Sequence, residues 1–225
     1  MFSSPSHDTQ HIKVAVDAII FTVFKGELRA LLIQMKKAPY EKQWAFPGGL
    51  IDNNEASEEA ARRILKTQAG VEDVFLEQLA TFDEPKRDIL GRVISIAYLA
   101  LVPHEHVQLK TTDRYMDVAW QSMKRLPKLA YDHTQVAKAA LARLRSKLEY
   151  TNIAWSLLPT EFTLTELQHI YEVILDHPID KRNFRKKILS LGLLASAKKK
   201  RKGVSHRPAE LFRFKERKPV NIQML

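Results

Sequence analysis

No cysteine occurs in the 225 residues, which excludes disulfides and thiolate zinc sites and suits a reducing compartment. Long apolar runs are missing too. The longest, such as residues 93–102, have the length of a strand and fall well short of a bilayer span. The opening MFSSPSHDTQH lacks the basic and apolar blocks of a secretory signal. A soluble cytoplasmic chain with no membrane partner is therefore expected. No Ser/His/Asp arrangement stands out, and of the eight histidines only His104 and His106 lie close together. Without a third ligand that pair reads as a strand end, not a metal site. No internal repeat is apparent.

Acidic charge is scarce in one region only. Residues 151–225 carry 15 Lys and Arg against 7 Asp and Glu, whereas residues 1–150 carry 21 against 19. All 15 of those basic side chains fall within residues 181–218, beside only 2 acidic ones. A purely structural surface of that density repels itself, so a module that neutralises phosphates is favoured over a solvated tail.

The chain divides accordingly. Val14, Val16, Ala18 and Ile20 alternate with other residues, Lys25-Gly26-Glu27 supplies a turn, and residues 28–35 return, so residues 13–36 read as a β-hairpin. Residues 43–50 form a short aromatic strand ending in a glycine pair. A helix over 56–68 is closed by Gly70, and strands follow near 76–82, 93–102 and 118–121. Asp132-His-Thr-Gln135 has the form of a capping box for a helix to about Leu148, and this capping role accounts for Asp132 and His133. Residues 1–12 are expected to be a flexible N-terminus, residues 13–150 one domain and residues 151–225 a second, with a connector over 149–160.

In the second domain, Thr163-Leu-Thr-Glu166 is another capping box, opening a helix that ends near Asp176. Asp180 then caps KRNFRKKILSLG, whose apolar Phe184, Ile188 and Leu191 recur at i, i+4 and i+7. A basic segment with Gly203 as its turn leads into an alternating strand over 210–214. Helix, turn, basic helix and basic hairpin make a winged helix-turn-helix. On its second helix Lys181, Arg182, Asn183, Arg185 and Lys186 point away from the apolar stripe. Arg reads guanine and Asn reads adenine by paired hydrogen bonds. Lys200, Arg201 and Arg207 fall on the wing, where point charges grip phosphates, and Thr163 and Thr165 complete the candidate DNA-contact set. No aromatic platform for single-stranded RNA is evident, so duplex DNA is the expected partner.

The stretch over 48–71, GGLIDNNEASEEAARRILKTQAGV, resembles the Nudix signature. Gly49, Glu55, Arg63, Gly70 and Val71 match it in register, and WAFPGG over 44–49 resembles the strand that precedes it. The resemblance implies three magnesium-binding glutamates, but those positions hold Ile64, Thr67 and Gln68. Ile64 offers no oxygen, and Thr67 and Gln68 offer neutral ones, whereas a hard cation takes anionic oxygens. Glu58 lies nine residues before Thr67, about 13 Å further up the helix at ~1.5 Å per residue, so the Glu58 and Glu59 carboxylates cannot converge there. Glu55 with Arg63 reads as a structural ion pair. No metal, no cofactor, no catalytic residue and no metal-assisted hydrolysis is expected.

A degenerate Nudix domain followed by a winged helix resembles the NrtR-type, Nudix-related transcriptional regulators of bacteria. The resemblance runs from Lys13 to Phe214, through WAFPGG, the remnant box, GRVISIAYLAL and FTLTELQHIYEVI…DKRNFRKKI. It implies an α+β chain: a Nudix-like mixed sheet with flanking helices, then a winged helix-turn-helix. It further implies a homodimer on operator DNA, repressing or activating transcription. By the same resemblance a small phosphorylated effector is expected, ADP-ribose or another NAD-related metabolite; a sugar, as in arabinose-sensing relatives, is the alternative. Phe46, Gly48, Gly49, Arg87 and Arg92 are the candidate effector contacts, the two arginines offering forks for phosphate. The rival reading from another class is a residual Nudix pyrophosphohydrolase with a nucleic-acid tether.

Overall fold

The computed structural model describes residues 11–72, 74–107, 115–201 and 208–222. Strands β1 (Lys13–Phe24) and β2 (Glu27–Met35) form the expected hairpin. Its two-residue turn places both Lys25 and Gly26 at positive φ, 50° and 73°, the turn whose twist suits adjoining strands. The aromatic stretch after β2 is two short strands, β3 (Trp44–Ala45) and β4 (Gly48–Leu50), interrupted by Pro47. Helix α1 (Ser57–Ile64) follows, widening into a π-turn over Leu65–Ala69 that ends where Gly70 adopts φ 64°. Strands β5 (Phe75–Phe82), β6 (Val93–Leu101) and β7 (Tyr115–Ser122) complete a mixed sheet. In it β1 runs parallel to β6 and antiparallel to β2 and β4.

Alternation along β1 and β6 separates two cores. Val16, Ala18, Ile20, Tyr98 and Ala100 pack with Ala60, Ala61 and Ile64 of α1. Ile19, Phe21, Ala97, Leu99 and Leu101 face the other way, toward α2 (His133–Tyr150). Both faces are therefore apolar, so the strands read as nearly continuous hydrophobic runs.

The second core does not stop at the end of α2. It continues through Phe162, Leu167, Ile170, Tyr171 and Ile174 into Phe184, Ile188 and Phe214. Helix α3 (Leu164–Leu175) begins on the expected capping box: Glu166 N–H donates to Thr163 Oγ1 at 3.1 Å and Thr163 N–H donates to Glu166 at 2.7 Å. Asp176 ends it at φ 61°, and the next turn is held by Glu172, which accepts from Ile179 N–H at 3.1 Å. Asp180 caps α4 (Lys181–Ser190) by accepting from Asn183 N–H at 2.7 Å. Strands β8 (Leu194–Lys200) and β9 (Glu210–Phe214) pair antiparallel, and Phe212 and Phe162 exchange backbone hydrogen bonds of 2.7 and 2.9 Å.

The expected connector over 149–160 begins two residues late, since Glu149 and Tyr150 are the exposed end of α2, and it is largely buried over 151–158. It forms a 3-10 turn over Ile153–Leu157 in which Ile153 and Ala154 are sealed from solvent. Arg217 returns to it, donating to the carbonyls of Trp155 and Leu158 at 2.9 and 3.0 Å. Packing of this kind joins the two units through shared apolar contacts, where a solvated tether would let them tumble.

Candidate effector pocket and nucleic-acid surface

A cavity of about 390 Å³ lies where α2 begins, and its lining brings together Phe46, Gly48, Gly49, Arg87 and Arg92. Strand β1 contributes Lys13, Ala15 and Asp17 to the same wall. Their odd-numbered register points opposite to Val16 and Ala18. Ile64, Thr67 and Gln68 are not part of the lining.

The floor of the cavity is a buried polar cluster assembled over long range. Arg87 donates to both carboxylate oxygens of Asp132, at 2.7 and 3.0 Å, and to Asp17 Oδ2 at 3.2 Å. Ser95 Oγ also donates to Asp17 Oδ2, and His133 Nε2 lies 3.4 Å from it. The side chains of Arg87, Asp17 and Asp132 are less than a tenth exposed. Burial pushes the Asp17 carboxyl up, but His133, Ser95 and Arg87 outweigh it and hold the group at about 2. Arg87 sits above its ordinary value because Asp132 and Asp17 overcome the cost of its own burial.

Asp132 thus departs from the expected capping role. It occupies the N-cap position of α2, yet its side chain makes no cap hydrogen bond. The physical reason is Arg87: a buried guanidinium requires carboxylates more strongly than an exposed N–H requires a cap. His133 departs as well, accepting from Phe46 N–H through Nδ1 at 3.0 Å in the buried wall. Tyr131, just before them, is held at φ 54°. This conformation is uncommon for a bulky residue, and it sets the ring against Tyr40 and His133 at 4.2 and 5.1 Å. Burial and the neighbouring Asp88 raise the Tyr131 hydroxyl to about 12, so it is a neutral donor. Arg92, the other expected phosphate fork, lies in the wall and donates from Nη1 to the Asp83 carbonyl. Asp17, Ser95 and Tyr131 were absent from the sequence-based set.

Around the remnant box the side chains are turned to internal use. Glu55 accepts from Arg63 Nε at 3.0 Å and from Asp52 N–H at 2.9 Å. The contact with Arg63 holds the Glu55 carboxyl at about 2. Ile64 is fully buried beneath the glycine pair. Thr67 Oγ1 donates to the Arg63 carbonyl at 2.8 Å, and Gln68 Nε2 donates to the Gly48 carbonyl at 3.1 Å. The three positions supply an alkyl group, a hydroxyl and an amide whose buried Oε1 accepts no hydrogen bond from the described residues; one neutral carbonyl oxygen without any carboxylate does not fit a magnesium ion.

On the winged helix, Lys181, Arg182, Asn183 and Lys186 are exposed; Arg182, Asn183 and Lys186 lie away from Phe184 and Ile188, whereas Lys181 stands in the first turn of α4 on the same side as those two. Arg185 is half-buried and donates to Thr165 Oγ1 at 3.1 Å, bracing α4 against α3. Thr163 is buried and its hydroxyl is occupied by the cap. Lys200 is exposed at the end of β8, while Arg201 pairs with Glu166. Arg207 lies outside the described residues. His104 of the early His pair stacks on Phe24 with ring centroids 3.6 Å apart.

Two family models match the chain: the NUDIX domain over residues 12–144 and the NrtR DNA-binding winged helix domain over residues 154–214. The chain is similar to the ADPR responsive transcriptional repressor NtrR of Acinetobacter baylyi, 36% identical over 89% of this chain and 81% of that protein. It is also similar to the ADP-ribose pyrophosphatase of Methanocaldococcus jannaschii, 34% identical over 57% of this chain and 72% of that one. Among solved structures, Shewanella oneidensis NrtR complexed with a 27mer DNA superposes with a TM-score of 0.80 at 33% identity, covering 90% of this chain and 93% of that one. The NUDIX domain of the same protein complexed with ADP ribose matches at a TM-score of 0.55 and 31% identity, over 63% and 94% of the chains.

Proposed function

This chain belongs to the NrtR family of Nudix-related transcriptional regulators, and we propose that it represses transcription by binding operator DNA under the control of ADP-ribose. The observation that carries the reading is the continuous core joining α2, whose first turn walls the cavity, to α3 and α4. Near its other end, Arg145 Nε donates to the Ile174 carbonyl at 2.8 Å, tying α2 to the last turn of α3. A ligand that shifts the start of α2 therefore acts on the helix that carries the DNA surface. Lys181, Arg182, Asn183 and Lys186 supply the groove contacts, and Lys200 a phosphate contact on the wing.

We further propose a cytoplasmic homodimer in which two winged helices read half-sites of a palindrome, so the effector acts by changing their spacing. Among the described residues no helix is long and apolar enough to cross a membrane. By reciprocity, DNA alters ADP-ribose affinity by the factor with which ADP-ribose alters DNA affinity.

The Nudix domain is proposed to bind without cutting. The absence of any carboxylate at these positions supports this: Thr67 and Gln68 are neutral and Ile64 is a buried alkyl group. The similarity to the ADP-ribose pyrophosphatase of Methanocaldococcus jannaschii favours hydrolysis as the second reading. One titration separates them: operator-bound protein is challenged with ADP-ribose, with and without magnesium, while AMP release is followed. Dissociation of the complex with no AMP is expected. AMP formation abolished by Glu55→Gln would overturn the proposal.

A further inference from the structure

Helix α4 buries one face and leaves the other bare. Phe184 and Ile188 are sealed into the shared core, and the partly exposed Leu191, Leu193 and Leu194 still pack against it. Leu189 does not. It belongs to neither apolar core and is 48% exposed, and among the described residues beyond Tyr150 no other large apolar side chain is so open.

Its surroundings are cationic. Helical spacing sets Leu189 on one side with Arg182, Arg185 and Lys186, which stand seven, four and three residues before it. Arg182 and Lys186 are exposed, and α4 carries no acidic side chain. Leucine forms helices no better than the lysines and arginines around it, so helix formation does not call for an apolar residue here. A lone exposed leucine is ordinary on a protein surface. This one is set apart by its row of cations on the helix that a helix-turn-helix lays in the major groove.

The cations select the occupant: they attract a polyanion and repel a basic protein. The major groove of duplex DNA presents hydrogen-bond donors, acceptors and one apolar group, the C5-methyl of thymine. Leucine offers no hydrogen bond, so over polar base edges it costs free energy, whereas against that methyl it gains. We infer that Leu189 is a specificity-determining residue that recognises a thymine methyl in the operator. It lies about 10 Å along α4 from Arg182 at ~1.5 Å per residue, so both side chains read within one half-site. The inference rests on the proposal that α4 binds operator DNA, and it adds a base to what the helix reads.

The test uses the full-length protein and a DNA duplex that the wild type enriches from a random-sequence pool. Each thymine of that duplex is replaced in turn by deoxyuridine, which pairs in the same way and lacks only the methyl, and binding is followed by fluorescence anisotropy. For the wild type, replacement of one thymine per half-site is expected to cost about fourfold in affinity, the factor that burial of one methyl group gives. Leu189→Ala and Leu189→Gln are expected to bind the thymine and deoxyuridine duplexes equally, with thermal midpoints close to that of the wild type because the side chain is exposed. Leu189→Met should keep the preference for thymine. A wild type indifferent to every replacement would overturn the inference. So would a wild-type preference that survives in Leu189→Ala, since another side chain would then hold the methyl. Failure of the wild type to enrich any duplex would instead remove the operator-binding reading beneath it.

Discussion

The cavity floor and the outer face of α4 are both rich in ionisable groups, yet they use charge in opposite ways. At the floor Arg87, Asp17 and Asp132 are buried and mutually paired. On α4, Lys181, Arg182 and Lys186 are exposed and face solvent. Buried charges are geometrically fixed, and each depends on its partner, so recognition there is inseparable from stability. Exposed cations contribute almost nothing to the fold and are free to exchange counterions for phosphates. Substitutions should separate the two regions sharply, with the fold failing at the floor and only binding failing on α4.

The largest effect is expected for Arg87→Met. It leaves the Asp17 and Asp132 carboxylates buried without their shared cation, a loss of roughly 3–5 kcal/mol. Urea unfolding of the full chain measures it; a change below about 1 kcal/mol would show that the floor is not a coupled cluster. Acid should expose the same cluster more gently. The Asp17 carboxyl has an ordinary value of 3.8 and sits at about 2 in the fold. A depressed carboxyl stabilises the fold above its ordinary value, and that contribution is lost as pH falls through the folded one. Between about pH 4 and pH 2 the wild type should lose roughly 2 kcal/mol through this group. Asp17→Asn should abolish that part of the pH dependence.

A smaller stability change tests the boundary between the two regions. Thr163→Ala removes the hydroxyl that accepts from Glu166 N–H, and loss of such a cap costs about 1 kcal/mol. Thr163 is buried, so its contribution to DNA affinity should be limited to that change in stability. A large drop in DNA affinity at unchanged thermal midpoint would place its hydroxyl on the DNA after all.

Much of this division was legible in the sequence. The Thr163–Glu166 capping box, the Asp180 cap and the end of the box helix at Gly70 are local features, set within a few residues. The basic face of α4 follows from the spacing of Phe184 and Ile188 alone. The cavity floor was not legible in the same way because its partners lie 45 to 78 residues apart. The sequence pattern made Arg87 a free fork and Asp132 a helix cap, and each is instead the other's partner. One local signal did exist. Asp17 interrupts the apolar run VAVDAIIF, and a carboxylate inside a strand buried on both faces needs a cation or a donor within reach. The loss of acidic residues at Ile64, Thr67 and Gln68 could be read directly, but their internal contacts required the structure.

Arg182→Ala should show the smallest stability effect, within about 0.5 kcal/mol, because the side chain is an exposed one on the outer face of its helix. Its effect on operator DNA should be much larger, on the order of 1–3 kcal/mol if it reads a guanine edge. Lys186→Ala should instead weaken binding to all sequences and reduce the salt slope by about one. Arg185→Ala lies between them, since the Arg185 guanidinium braces α4 against Thr165 and its loss moves the whole reading face. ADP-ribose titrations of the same variants keep the comparison clean. An Arg182→Ala protein that loses operator binding and ADP-ribose binding together would mean that the floor and α4 are one site. Loss of operator binding at unchanged ADP-ribose affinity would show that the cavity keeps its ligand when α4 has lost its grip on DNA.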